Sequence, residues 1–172
     1  MSTSKKKRID PRFKLPNMPY TYPDIQRAWN FLMNEFHAEK IGLLHPLLPS
    51  VDLPQKVWSH HLGGGVRLDF AKDVKTEQLK CLTMVAWMKD DASKDRFFYT
   101  MAMMVGAIGF LDQDFSFVEE GVFLLEEMFD GVNLLTLQKN LNYGGYTFRC
   151  TGHEDPYAPI LLFSAYRNSF QR

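Results

Sequence analysis

Cysteine is scarce in the 172 residues, occurring only at Cys81 and Cys150, and no apolar run approaches the roughly 20 residues a membrane-crossing helix needs. The longest, Phe97 to Leu111, reads instead as a buried helix. The chain opens on charged residues, without the apolar stretch and small-residue cleavage site of a secretory signal. The expectation is therefore a reducing intracellular setting, with cytoplasm, nucleus and a membrane surface all compatible. The two cysteines fall in separate predicted strands and could meet, yet such a setting favours free thiols over a disulfide. Internal repeats are missing, and low complexity is confined to the N-terminal arm.

Complete catalytic and metal-binding patterns are also missing. Cys150 and His153 have a metal-like spacing, but tetrahedral zinc wants four ligands and no second Cys or His pair has comparable spacing. A Cys-His nucleophile is conceivable with Cys81 or Cys150, yet both sit among apolar neighbours in strands, where a thiol is inert packing. Glu154 and Asp155 beside His153, and Asp112 with Asp114, are acid pairs in loops, where solvation is the simpler reading than acid/base work. His60 and His61 precede the triplet Gly63-Gly64-Gly65, but a phosphate cradle needs its glycine turn between a strand and a helix, and here a strand follows. A flexible loop is expected. The sequence thus offers no catalytic residue, metal site, cofactor or small-molecule substrate.

What the chain does have is charge separation. Twenty Lys and Arg balance twenty Asp and Glu. Lys5, Lys6, Lys7, Arg8, Arg12 and Lys14 against the single Asp10 give the first twenty residues a net +5, which leaves −5 for the rest. With 45% hydrophobic and 14% aromatic residues, the length supports one substantial core rather than two.

Residues 1–20, rich in Lys, Arg and Ser and carrying the stretch P-N-M-P-Y-T-Y-P, lack apolar periodicity and are expected to form a disordered or extended basic arm. Residues 21–172 are expected to form a single α+β domain, about three helices on a mainly antiparallel sheet of about five strands. Pro23, Asp24 and the spacing of Ile25, Trp29, Leu32 and Phe36 predict the first helix, with Lys40 and Gly42 as its stop. Proline-punctuated loops and a short helical turn lead to the glycines. Val66 to Phe70 and Gln78 to Met88 read as strands.

Ser93 is placed to cap a helix from about Lys94 to Leu111, whose Ala102 and Gly106 permit close approach. Ser116-Phe117-Val118-Glu119 has the spacing of a capping box for the next helix, and Gly131 that of its terminator. Alternating residues from Leu135 to Tyr143 and from Tyr146 to Cys150 around Gly144-Gly145 mark a hairpin, and Ile160 to Tyr166 a last strand.

Two features point outward. K-K-K-R with Arg12 and Lys14 releases counterions from a nucleic acid, sits on anionic lipid at roughly 1 kcal/mol per residue, or serves as an import signal or solubilising tail. Glu119, Glu120, Glu126 and Glu127 form two acidic pairs seven residues apart along one side of a helix. They read as a solvated face or as a docking surface for a basic partner, including the arm of another copy.

The segments P-N-M-P-Y, Y-P-D-I-Q-R-A-W and E-Q-L-K-C-L-T-M-V-A-W-M with its trailing K-D-D, taken in order after a lysine-rich start, resemble the matrix proteins of rhabdoviruses, plant-infecting members being of similar length. The resemblance covers about half the chain. It implies a multivalent, non-enzymatic adaptor that packs a nucleocapsid against a membrane by self-association. Two departures stand against it: no PPxY-type motif is present, and the arm leaves no room for the strand that family places before its helix.

The leading expectation is a non-enzymatic structural or assembly protein. It would self-associate and use its arm to contact an anionic partner such as nucleoprotein, RNA or acidic lipid. An inhibitor or immunity-type protein that masks a basic surface with its acidic helix is the alternative, and a small enzyme with a loop site around His60, His61 or His153 the third.

Overall fold

The computed structural model describes residues 11–38, 42–45, 57–112, 121–129 and 137–168. Six strands form one antiparallel sheet: β1 (Val57–Gly63), β2 (Val66–Lys72), β3 (Leu79–Trp87), β4 (Gln138–Tyr143), β5 (Tyr146–His153) and β6 (Ile160–Arg167), in the spatial order β1-β2-β3-β6-β5-β4. Two three-stranded meanders are thus joined where β6 pairs with β3. Between them the chain forms α2 (Asp91–Leu111) and α3 (Val122–Phe129), while α1 (Tyr22–Glu35) precedes the first meander. The result is the expected single α+β domain with three helices. The strand count rises to six because His60 and His61 belong to β1 and not to a loop.

Alternation along the strands explains the core. Phe70, Leu82, Ala165, Phe148 and Leu141 are successive cross-strand partners, and Leu68, Met84, Phe163 and Cys150 form the next row. Such rows interdigitate large and small side chains on one face. Against them pack Ile25, Trp29 and Leu44 together with Met104 and Ala107 of α2. The Trp29 indole N–H donates to the carbonyl of Gly42 at 3.0 Å, so the largest core side chain keeps its polar atom paired.

Local signals set the helix ends. Asp24 accepts from the Thr21 backbone N–H at 2.9 Å, closing the entry to α1. The buried stripe of α1 is Tyr22, Ile25, Ala28, Trp29 and Met33. Phe36, expected on that stripe, is 61% exposed because the helix stops at Glu35 and His37 takes a left-handed φ of 51°. The predicted stop residue Lys40 lies outside the described residues. At α2 the cap is Asp90 and not Ser93: its carboxylate accepts from the Ser93 N–H at 2.8 Å and from the Ser93 hydroxyl, which starts the helix three residues earlier than expected. The capping box at 116–119, Gly131 and Leu135 lie outside the described residues.

The glycine triplet is a tight turn. Gly64 and Gly65, at φ of 60° and 80°, fill the two central positions of the β1–β2 hairpin, as Gly144 and Gly145 do at 52° and 83° between β4 and β5. Both match the turn whose twist suits paired strands, which is why a flexible loop does not form. Arg96 of α2 donates to the Leu62 carbonyl at 2.8 Å and fixes the helix start over this hairpin.

The arm ends earlier than residue 20. Pro11–Lys14 form a 3-10 turn packed on β2 and β3, and Met18 and Tyr20 are buried. The Met18 N–H donates to the Leu79 carbonyl at 2.6 Å and the Leu79 N–H to that of Tyr20 at 3.0 Å. Residues 18–21 therefore lie beside the start of β3, beyond the point where β6 leaves it, with bends at Pro19 and Tyr20 and a single bridge from Thr21 to Gln78. Two buried positions in a proline-bearing stretch, 18 and 20, are too few to read as a period. Lys5, Lys6, Lys7 and Arg8 lie outside the described residues.

Truncating the largest core side chain tests this packing. Trp29→Ala should lower unfolding stability by about 3–5 kcal/mol, read from urea denaturation, whereas Phe36→Ala should change it by less than about 0.5 kcal/mol.

Candidate functional site

α2 is apolar around nearly its whole circumference from Phe97 onward, and its middle, Met104 to Ile108, is buried on every side. Phe97, Met101, Met104, Val105 and Ile108 are buried, while Tyr99 and Phe110 remain 62% and 59% exposed. Phe31 of α1 lies against Phe110 with ring centroids 5.5 Å apart and is itself half-exposed. Tyr99 and Phe110, three turns apart on one side of α2, are thus two separate apolar spots that gain from being covered.

At the first of these spots, α2 and α3 enclose an open groove of about 520 Å³, lined by Phe98, Tyr99, Met101, Ala102 and Leu125 with Asp95 and Glu126 as its charged lining residues. Glu126 and Glu127 do not act as one patch. Consecutive helical residues point about 100° apart: Glu126 lines the groove, whereas Glu127 turns to β4, where its carboxylate accepts from the Tyr143 hydroxyl and its carbonyl from Lys139. Glu119 and Glu120 lie outside the described residues. Of the cationic candidates, Arg12 and Lys14 sit in the 3-10 turn, so the arm's charge is split between a docked part and residues 5–8.

At the opposite end of α2 a polar cluster emerges that periodicity could not reveal. Asp112, 5% exposed, accepts from the Tyr146 hydroxyl at 2.6 Å and from Arg167 at 2.9 Å. The Tyr20 hydroxyl lies 3.3 Å from that of Tyr146. Asp112 is thus no solvated loop acid: it anchors the end of α2 to β5, β6 and the N-terminal segment. Burial pushes the Tyr20 and Tyr146 hydroxyls well above the usual phenol range, with the neighbouring negative charge of Asp112 adding to it in both.

Of the histidine candidates, His60 is tied into the fold. The ring of His60 stacks on His45 and accepts from the His45 N–H at 3.3 Å. Desolvation first, then the charges of His45 and His61, hold its pKa below the ordinary value. His61 is exposed on the other face of β1, and the exposed His153 ring shares a hydrogen bond with Thr151. Cys81 and Cys150 are buried free thiols, and burial pushes Cys150 up to about 12, far from a reactive thiolate. Among the described residues, no group of three or more His, Cys, Asp or Glu side chains is placed to hold a metal ion, and no helix is long and apolar enough to cross a membrane.

These shifts define a pH window. Tyrosines raised in the folded state leave stability intact below the unfolded value of about 10 and erode it above, because the unfolded chain then releases protons that the folded one keeps. His60, lowered in the fold, contributes stability above about 6.5 that is lost as pH falls below it. Urea unfolding across pH should show a neutral plateau with losses on both sides. Tyr146→Phe should cost about 1–3 kcal/mol at pH 7 and, combined with Tyr20→Phe, make the alkaline limb shallower, the remaining loss coming from Tyr22 and Cys150, which burial also raises; an unchanged alkaline limb would contradict the assignment. Comparison of the chain with protein-family models, with curated proteins and with solved structures finds no match in any of the three.

Proposed function

We propose that this chain is a non-enzymatic assembly protein of the matrix-like kind. Its helical layer binds a second copy, and its basic residues 5–8 contact an anionic partner such as nucleoprotein, RNA or acidic lipid. One observation carries the reading: α2 keeps Phe110 in solvent beside Phe31 and, about 16 Å away along the helix, Tyr99, apolar side chains that gain from being covered. Charge supports it, since Lys5, Lys6, Lys7 and Arg8 precede a body of opposite net sign. The resemblance of three sequence segments to rhabdovirus matrix proteins points the same way.

The expected behaviour is concentration-dependent self-association, followed by light scattering. Changing Tyr99 and Phe110 to serine should weaken it at least tenfold, about 1.4 kcal/mol. Replacing Lys5, Lys6, Lys7 and Arg8 with glutamine should reduce the salt dependence of RNA binding by about 0.7 per lost phosphate contact, or weaken binding to acidic vesicles by roughly 1 kcal/mol per residue. A chain that stays monomeric at every concentration and ignores both polyanions would sink the proposal.

A further inference from the structure

We infer that the groove between α2 and α3 is a docking site for a cationic amphipathic helix of another protein, one that carries apolar anchors next to lysine or arginine. This rests on the reading of the chain as an interaction protein and gives the chemistry of one partner. The walls, Phe98, Tyr99, Met101, Ala102 and Leu125, offer apolar surface to insert against. Two neighbouring helices form the kind of trough into which a third lays its apolar face. At about 520 Å³ the space suits more than one large side chain.

Charge selects the sign of the occupant. Asp95 and Glu126 line the groove, and among the described residues neither is in an ion pair. Asp91 lies one turn before Asp95, with Lys94 the single cation in that first part of α2 before Arg96, whose guanidinium is turned to Leu62. An acidic segment would meet this surface at a cost, and a neutral one would leave both carboxylates without a counter-charge.

The chain's own basic segment fits poorly. α2 runs from the β1–β2 hairpin, where Arg96 is fixed, to the far end of the sheet, where Asp112 meets Tyr146 and Arg167. The groove lies in its first half, whereas residues 17–20 dock at the far end through Asp73, Gln78 and Leu79. Lys5 to Arg8 are three to six residues before Pro11, about 10–20 Å of extended chain, while Asp95 to Asp112 alone spans about 26 Å of helix. A neighbouring copy's segment is no better, because Ile9 is its one apolar residue between Lys5 and Pro11, and Asp10-Pro11 ends any helix there.

The test titrates two short synthetic peptides into the full chain, followed by fluorescence anisotropy. Both carry leucine at i, i+4 and i+7; one has lysine and the other glutamate at the flanking positions. The lysine peptide should bind saturably and at least tenfold more tightly than the glutamate peptide. Ala102→Trp, which fills the groove without changing charge, and the double change Asp95→Asn with Glu126→Gln, which keeps its shape, should each weaken that binding at least tenfold. Circular dichroism establishes that both variants fold. No binding, equal binding of the two peptides, or binding indifferent to both variants overturns the inference. Binding that appears only after Lys5, Lys6, Lys7 and Arg8 are changed to glutamine also overturns it, since the occupant is then the chain's own segment. Because Tyr99 is shared with the self-association surface, the titration is run at a concentration where light scattering shows monomers, and scattering without peptide decides the self-association reading separately.

Discussion

Everything in this fold depends on the antiparallel pairing of β3 with β6. Each meander alone would be a three-stranded ribbon with an apolar face too narrow to cover two crossing helices. Joined through the register Leu82 with Ala165, Met84 with Phe163 and Ala86 with Leu161, they make one continuous apolar floor. α1 and α2 pack over that floor, so the position of every outward-facing helical residue follows from a pairing between segments about eighty residues apart. Such a non-local contact is costly in loop entropy until it forms. The buried tether at Asp112, which holds α2, β5, β6 and the N-terminal segment together, acts on the same chain ends that this pairing must bring into place.

Much of this architecture was legible in the residues themselves. Alternation in β2, β3, β5 and β6, the Gly144-Gly145 turn and the Ile25/Trp29 spacing of α1 are local signals, and each became the expected element. Where reading failed, the information was not local. β1 carries Trp58, His60 and Leu62 inward, but His60-His61 beside three glycines gives no convincing alternation, and its strand character comes from pairing with β2. Met18 and Tyr20 are two isolated anchors whose burial is decided by an open position beside Leu79. Asp90 and Ser93 are both good caps, and only the geometry shows which residue accepts and which donates.

Function was less legible than fold for the same reason. The acidic residues of α3 drew attention as a run, yet the helix separates them: Glu126 joins a groove, and Glu127 is taken up by Tyr143 and Lys139. The groove's other wall comes from α2, whose uniform apolarity marks burial in a sequence and gives no hint of which side stays wet. Asp112 looked like an ordinary loop acid because its partners Tyr146 and Arg167 are 34 and 55 residues away.

The tether at Asp112 also gives the molecule a direction. It gathers Tyr20, close to the start of the described body, and Arg167, close to its finish, at one pole, while the Gly64-Gly65 turn and the mouth of the groove lie toward the other. Loosening that one pole would therefore free α2, β5, β6 and the N-terminal segment together, while the hairpin end keeps its own anchor between Arg96 and Leu62.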